Sequence, residues 1–447
     1  MPSLVAHIGT PRRLIWPRNW QHGPDKEVKV KRLMDQTQKI QQLIEGFLNR
    51  DEQVRLSARD ELVKFGQDVV RPLLEVLDES QRLGISDDIV TALVQIGTPA
   101  VESLIAALDE DWGWSIQEIV DALAGLGDLR AIQPLITKVL INPKAAMDGV
   151  WAFVRFGEPA LQALLTAFHD TVNFDEYERG KVALALCEFD DSRAMETLIA
   201  TLQDDSPKMR RNAIYALSFS KDSQVVDPIA SALDDQDPKV RKLAAMALGH
   251  IGGTRAVEHL IGAITDEDVT VRRSVASSLR YCEDKLARES LIAGLKDPDV
   301  DVRRYCATGL SKIPDICAFD ALFDVFGDED TRVRIAAANA VGKIGEASLI
   351  ERLIAAFDTE DWRVRYSVIF ALSHYREKQV VEFIKQALNA PEYPVRYIAA
   401  GVLGGMGELS AVEPLIQVMQ DVHQDAPVRQ KAIWALGKIG DTQAIPY

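Results

Sequence analysis

A five-residue motif, in most copies Asp-x-x-Val-Arg, recurs through this chain at a nearly constant step. Its arginines stand 31 residues apart from Arg179 to Arg396, and the last follows after 33; they are Arg179, Arg210, Arg241, Arg272, Arg303, Arg334, Arg365, Arg396 and Arg429. A regular step of this size indicates one small supersecondary unit copied along the chain, each copy burying its apolar face against the next. The sequence therefore predicts a solenoid, whose function is expected on an extended surface.

Each copy of the motif is typical of a helix start. An aspartate side chain accepts hydrogen bonds from the free amides of a new helix, and proline fits the first turn, as in Asp237-Pro238. The predicted caps are Asp237, Asp268, Asp299, Asp330, Asp361 and Asp425, with Glu392 and Ser206 as departures. An Ala-rich run follows each arginine, and after a short turn comes a second amphipathic stretch. We therefore predict two antiparallel helices per copy: a motif helix, opened by the motif, and an intervening helix.

At these residues the chain resembles the HEAT-repeat family, and more narrowly the short HEAT-like repeats named after phycobilisome lyases. The resemblance implies an all-α, right-handed α-solenoid of about thirteen helix pairs from about Thr37 to Gly440. It also implies that the motif helices line a concave face and that the repeated Asp and Arg join neighbouring units. Proteins with such repeats include both lyases and scaffolds, so the resemblance leaves the activity open.

The repeats differ in regularity along the chain. Residues 36–190 are expected to be degenerate HEAT-like repeats, and residues 191–447 regular 31-residue repeats continuous with them. The sequence after Gly440 has the character of a further helix start, so the last unit is expected to be incomplete. The first half is therefore predicted to be the less regular part of one continuous array.

Residues 1–35 differ in composition and are expected to form a flexible, basic and aromatic N-terminal arm. Residues 1–32 carry seven Lys or Arg and two carboxylates, which gives this segment +5 and the remainder −21 in a protein of net charge −16. Such a segment has too few apolar residues for a core of its own. We expect Arg12, Arg13, Trp16 and Trp20 either to bind a partner or to fold back onto the acidic repeats; the third alternative is an organelle-targeting leader, for which the serine content is poor.

The sequence gives no indication of a membrane-spanning helix or of a secretion signal. No apolar run approaches the roughly 18–20 residues of a membrane span, and the N-terminus lacks a signal peptide's apolar segment. Cys187, Cys282, Cys306 and Cys317 show no Cys-x-x-Cys spacing and are expected to be reduced. These features favour the cytoplasm, and leave open a peripheral position on a membrane-bound complex.

Helical projection of the motif helices identifies a candidate binding surface, here called the stripe. At 100° per residue, the positions two before each arginine and one, five and nine after it face outward. From Lys208 to Lys438 these positions hold eleven Lys or Arg and one carboxylate. The candidate partner-binding residues are Lys208, Arg211, Tyr215, Phe219, Lys242, His250, Arg273, Tyr281, Asp301, Arg304, Lys312, Tyr366, Phe370, His374, Tyr397 and Trp434. The alternative is that these cations merely form a solvated helix face.

Three classes of function fit the stripe. The first is a binding or assembly protein that holds an acidic protein partner, with a phycobiliprotein or photosynthetic complex as a candidate. The second, suggested by the resemblance, is a phycobilin lyase or lyase-isomerase, in which cations pair the propionates of an open-chain tetrapyrrole and Asp301 accepts from its pyrrole nitrogens. The plainer interpretation of Asp301 is a helical ion pair with Arg304. Nucleic-acid binding ranks third, because the chain is acidic overall.

Common catalytic motifs are missing from the sequence. There is no phosphate-binding loop, no Gly-x-Ser-x-Gly elbow and no His-Glu-x-x-His. The histidines lack the His-Glu pairs of a di-iron hydroxylase, so no metal is expected, and a bilin is the only cofactor that any of these functions requires. Cys282 and Cys306 are more readily explained as structural thiols than as nucleophiles. Whether the protein is an enzyme stays open at this stage.

Overall fold

The computed structural model describes residues 24–110, 116–141, 149–282 and 284–440. These residues form helices joined by short turns, and no strand occurs in the described ranges, which confirms the predicted all-α class. The chain divides into two compact units, Met1–Thr166 and Ala167–Tyr447. The predicted arm residues Arg12, Arg13, Trp16 and Trp20, and residues 441–447, lie outside the described residues.

The first unit consists of one long helix followed by shorter helices. They are α1 (Pro24–Phe47), α2 (Glu52–Leu62), α3 (Val70–Glu75), α4 (Leu77–Leu83), α5 (Ser86–Ile96), α6 (Val101–Ala107), α7 (Ile116–Leu126), α8 (Ile132–Pro134), α9 (Ala152–Phe156) and α10 (Glu158–His169), in which the unit boundary falls. Leu135–Leu140 form a π-helical segment. Helix α1 begins inside the segment expected to be a flexible arm.

No single helix in the described ranges is both long and apolar enough to cross a membrane. By length and composition alone, one pair of helical segments, Ser86–Ile96 and Thr98–Ala107, passes the same test together, with a bend of 107° between them.

The second unit alternates motif and intervening helices. The motif helices are α11 (Glu176–Cys187), α13 (Pro207–Leu217), α15 (Pro238–Ile251), α17 (Val269–Leu279), α19 (Val300–Leu310), α21 (Thr331–Ile344), α23 (Trp362–Leu372), α25 (Tyr393–Met406) and α27 (Ala426–Ile439). The intervening helices are α12 (Ser192–Thr201), α14 (Val226–Ser231), α16 (Thr254–Gly262), α18 (Arg288–Gly294), α20 (Phe319–Asp324), α22 (Ser348–Ala355), α24 (Lys378–Ala387) and α26 (Val412–Gln420). Each motif helix packs against the next motif helix. The predicted helix pairs are therefore present, while the hand of the solenoid and the number of pairs stay predictions.

The core of the second unit comes from motif-helix positions that the projection does not place outward. In α15, for example, Val240, Ala244 and Leu248 are fully buried. Small alanines let neighbouring helices approach closely, and the larger residues fill the space between them. Burial of one such apolar face per helix is the main stabilisation of a repeat array.

The predicted helix caps are confirmed at five motif helices. The carboxylates of Asp237, Asp268, Asp299, Asp330 and Asp361 accept hydrogen bonds from amides of the first turn. Asp425 is an exception, because its side chain makes no capping bond and instead accepts from Arg396 at 2.6 Å. Each capping bond satisfies one amide that the helix leaves without a partner.

The marker arginines join neighbouring repeats through a second aspartate, two residues before each cap. Arg210, Arg241, Arg272 and Arg303 donate to Asp235, Asp266, Asp297 and Asp328, with closest distances of 2.6, 2.8, 2.7 and 2.6 Å. Each of these arginines also donates to a backbone carbonyl six residues earlier. We call this series the ladder; it fixes the motif helices, and hence the stripe, in register.

The ladder is interrupted at Arg334. The equivalent of the ladder aspartate is Thr359, and the Arg334 side chain, in a residue only 3% exposed, has no carboxylate partner in the described ranges. Its Nη atoms donate to the carbonyls of Asp328 and Glu329 and to Thr331 Oγ1, and its Nε makes no hydrogen bond. Burial lowers the pKa of this guanidinium.

Candidate partner-binding stripe

The stripe residues lie on the solvent-accessible side of the motif helices. None of the positions from Lys208 to Lys438 is buried, although the residues between them include the core. Tyr281 is 69% exposed and Met246 49%, and Tyr215, Phe219 and Trp434 are also exposed. Tyr366, Phe370 and Tyr397 also face outward, as the projection predicts, but they are half-buried rather than exposed.

Most stripe arginines are already paired with carboxylates at helix starts. The pairs are Arg211–Asp237 at 3.4 Å, Arg273–Asp299 at 2.5 Å, Arg304–Asp301 at 2.9 Å, Arg332–Asp330 at 2.9 Å and Arg363–Asp361 at 3.2 Å. Lys208 lies 3.9 Å from Glu176. Asp301 thus makes the helical ion pair that was the plainer of its two interpretations. These pairs neutralise much of the positive charge that the sequence pattern indicated.

The charge that is left belongs to lysines. Lys239, Lys242, Lys312 and Lys343 are exposed and make no ion pair with any residue in the described ranges. A lysine ammonium without a counter-ion is available to a partner's carboxylate without first breaking an internal bond. Positive charge on the stripe is therefore concentrated at these four positions and at Lys438, which is also exposed and makes no ion pair in the described ranges.

An open cavity of about 640 Å³ lies on the stripe where three motif helices meet. Its walls include Lys242, Met246 and His250 from α15, Arg273 and Ser277 from α17, and Tyr281 and Tyr305. No carboxylate belongs to the described residues that line it. Four of the sixteen candidate residues, Lys242, His250, Arg273 and Tyr281, are brought together here.

A family model for HEAT repeats matches residues 161–232, 219–280, 288–373 and 380–447. These segments cover more than half of the chain. The chain belongs to the HEAT-repeat family. The resemblance inferred from the motif is thereby confirmed, while a comparison with curated proteins finds no significant match.

Solved structures with HEAT-like architecture match as well. A complex of CpcE and CpcF of the phycocyanin lyase from Nostoc sp. PCC7120 is 24% identical, with 49% of this chain and 91% of that chain covered and a TM-score of 0.30. A mutant of Kap121p is 16% identical, with 83% of this chain and 44% of that chain covered and a TM-score of 0.52. The match thus spans less than half of that Kap121p chain, and the likeness supports the HEAT fold alone.

Beside the cavity, two HEAT repeats contribute a stack of alternating rings and guanidinium groups. The Arg280 guanidinium lies 4.4 Å from the ring centroids of both Tyr281 and Tyr305, and Arg304 lies 4.4 Å from Tyr305. Arg280 also donates to the Tyr281 hydroxyl. Such contacts hold an exposed ring in a fixed orientation. Arg280 is outside the stripe pattern, so the projection missed it.

The remaining aromatic candidates form smaller groups on other HEAT repeats. The rings of Tyr215 and Phe219 are in edge-to-face contact with their centroids 5.1 Å apart. The Phe219 ring contacts the His250 ring of the next repeat, with a centroid distance of 5.9 Å. The ring centroids of Phe370 and His374 are 6.4 Å apart, and His374 Nε2 lies 3.1 Å from Asn339 Oδ1. The Lys431 Nζ atom lies 4.7 Å from the ring centroids of both Tyr397 and Trp434. Lys431 is another cation that the pattern omits, because it stands two residues after its marker arginine.

The cysteines of these HEAT repeats have the character of structural thiols. Burial raises the pKa of Cys187 to about 11 and also raises the pKa of Cys282 and of the buried Cys306. Cys317 is exposed, and its hydrogen bond with Asp315 raises its pKa. A thiol with a raised pKa is a poor nucleophile at neutral pH. In the described ranges, no group of three His, Cys, Asp or Glu side chains is placed to hold a metal.

Proposed function

We propose that this HEAT-repeat protein is a binding or assembly protein that holds an acidic protein partner on the stripe. The observation that carries the proposal is the set of exposed lysines without counter-ions, Lys239, Lys242, Lys312 and Lys343, on a chain of net charge −16. A lysine ammonium without an internal partner can pair with a partner's carboxylate, and opposite charges on two surfaces speed their encounter. Exposed Tyr215, Phe219, Met246 and Tyr281 beside them supply the apolar contacts that stabilise interfaces.

The test compares two variants of equal charge change. In the stripe variant, Lys239, Lys242 and Lys312 are each replaced by Glu; in the control variant, the exposed Lys221, Lys296 and Lys378, which lie off the stripe, are replaced in the same way. Both variants and the wild type are used to capture proteins from host lysate, followed by quantitative mass spectrometry. We expect acidic proteins that are lost only with the stripe variant. Identical eluates from all three would overturn the proposal.

Handling of an open-chain tetrapyrrole is a second candidate function. It is favoured by the ring and guanidinium stack of Arg280, Tyr281 and Tyr305 beside a cavity of suitable size for a small organic anion. Titration of the purified protein with biliverdin, followed by visible absorbance, tests it. A saturable spectral shift that is lost in Tyr281→Ala supports tetrapyrrole binding, and an unchanged spectrum contradicts it.

A further inference from the structure

The cavity on the stripe brings together exposed apolar residues and exposed cationic residues. Met246 and Tyr281 are among the exposed large apolar residues of the described chain, and they line the same cavity as Lys242 and Arg273. Exposure of this much apolar surface in one place is unfavourable in water and typical of interaction sites. The cavity thus carries the features of an interface centre rather than of an ordinary helix face.

Resting on the proposed function, we infer that this cavity is the anchor pocket for a short acidic segment of the partner. The segment places one large apolar side chain between Met246 and Tyr281 and an adjacent Asp or Glu side chain on Lys242. The partner chemistry follows from the walls: a flexible thioether and a tyrosine ring favour an apolar side chain, and an unpaired ammonium favours a carboxylate. Arg273 contributes less charge, because Asp299 already holds its guanidinium at 2.5 Å.

The pocket is prepared for binding before a partner arrives. Arg280 stacks on both Tyr281 and Tyr305 and donates to the Tyr281 hydroxyl, so the most exposed ring of the pocket has little freedom to lose. Immobilising a free side chain on binding costs conformational entropy, and a ring held in advance avoids part of that cost. Tyr281 is therefore expected to be a main anchor of the interface.

The size of the apolar surface favours a peptide segment over a small free anion. Beyond the cavity, His250 contacts Phe219, and Phe219 contacts Tyr215, so exposed rings continue from α15 to α13. A single small anion would leave those rings uncovered. An extended or helical segment of several residues covers both the pocket and the neighbouring rings.

The experiment is selection of a phage-displayed random dodecapeptide library on the intact protein. Peptides that bind are expected to share one large apolar residue next to Asp or Glu. A fluorescein-labelled selected peptide is then titrated against a pocket variant carrying Met246→Ala and Tyr281→Ala. The matched control carries Ile316→Ala and Leu409→Ala, which remove similarly exposed apolar residues off the stripe.

We expect the pocket variant to weaken peptide binding by at least about tenfold, as loss of an anchor does, and the control to leave it within about twofold. Thermal unfolding of both variants shows whether the fold is intact. Equal binding of the peptide to the pocket variant and to the wild type would contradict the inference that this cavity is the anchor pocket. If that same peptide were lost with the stripe lysine variant, the proposed function would stand without the pocket.

Two other results would overturn the inference as well. Selection of peptides without acidic residues would contradict both the pocket and the acidic partner. Self-association of the wild type in sedimentation velocity, abolished by Met246→Ala and Tyr281→Ala, would show that a second copy of the chain occupies the pocket.

Discussion

Single arginines in this chain have different roles that depend on one neighbouring residue. Arg241 and Arg334 occupy equivalent positions and are both buried, but only Arg241 has a ladder aspartate, Asp266. A buried charge without a carboxylate partner forgoes hydrogen bonds that would offset its desolvation. The repeat that contains Arg334 is therefore expected to be less stable than it would be with a ladder aspartate.

Replacing Thr359 by Asp restores the carboxylate that the ladder lacks. We expect Thr359→Asp to raise the free energy of unfolding by about 1–3 kcal/mol, because the new carboxylate accepts from Arg334 as Asp266 does from Arg241. Urea denaturation measures the difference. Thr359→Asn is the control, since it can accept from the Asp361 amide without adding charge. A Thr359→Asp protein no more stable than the Asn variant would contradict the role assigned to Arg334.

The cap carboxylates also determine how stability depends on pH. The Arg273 guanidinium lowers the pKa of Asp299 to about 2, and Arg332 lowers that of Asp330 to about 2. A lowered folded-state pKa means that the contribution to stability is present above the unfolded value of about 3.9 and is lost as pH falls through the folded value. We expect the urea concentration at the unfolding midpoint to decrease as the pH is lowered from about 4 to about 2.

The variant Asp299→Asn tests this at one residue. Asn retains the capping oxygen but not the charge. Its urea midpoint should be below that of the wild type at pH 7, and the difference should shrink as pH falls from about 4 to 2. A difference that is independent of pH over that range would show that Asp299 acts only as a cap.

At the scale of elements, the spacing of neighbouring motif helices depends on small residues at their crossings. Helices α25 and α27 approach at Gly404, where an added methyl group would lie 2.5 Å from the Ala435 Cα and 2.6 Å from its Cβ. Backbone atoms cannot yield as a flexible side-chain end can, so a larger residue there must move a helix. The next residue, Gly405, has no atom within 4 Å of the equivalent position.

These adjacent glycines provide a matched pair of substitutions. Gly404→Ala should destabilise the protein by about 1–3 kcal/mol through overpacking. Gly405→Ala should stabilise it by about 0.5–1 kcal/mol, because alanine is the better helix former and nothing obstructs its side chain. Thermal unfolding of the two variants checks both signs. Equal effects of the two substitutions would mean that the crossing is not closely packed.

Features that depend on a single helix could be predicted from the sequence. The caps at Asp237 and Asp268 and the exposed face of α15 depend on one helix, whose periodicity is visible in the sequence, and these predictions were confirmed. The ladder aspartates share the same step, and Asp235 and Asp266 could have been found as a second recurring carboxylate. The recurrence was present, but the helix-start interpretation accounted for only one aspartate per copy.

Features that need two helices were not predictable from a single-helix projection. The pairing of Arg273 with Asp299, the half-burial of Tyr366 and the cavity itself depend on distances between neighbouring repeats. A projection shows which way a side chain leaves its helix, but not what the next repeat places opposite it. The positive character expected of the stripe was therefore overestimated at its arginines and at Lys208, while the other stripe lysines have no carboxylate partner in the described ranges.

At the scale of the whole molecule, stability of a repeat protein is transmitted between neighbours. Each motif helix of the second unit packs on the next, and the ladder bonds join neighbouring repeats at four places, so loss of one repeat first affects the adjoining ones. Binding, by contrast, is expected on side chains that the core does not need. Folding and binding should therefore respond to different substitutions in the same helix.

Helix α15 provides that contrast. Leu248→Asp places a charge in the core and should cost about 3–5 kcal/mol, whereas Lys242→Glu, on the exposed side of the same helix, should leave unfolding nearly unchanged. Hydrogen exchange should show loss of protection in Leu248→Asp that is strongest from α13 to α17 and weaker at α27. Uniform loss of protection across the second unit would contradict transmission between neighbours.

The ladder has a consequence for how arrays of this type change in length. Each bond joins an arginine to the aspartate 25 residues later, and both recur every 31 residues. Removal of residues 266–296 would bring Asp297 to the place that Asp266 holds relative to Arg241. Duplication or loss of one full 31-residue period within the ladder thus reproduces the same junction, whereas a change of another length in that region moves the aspartate out of place relative to its arginine.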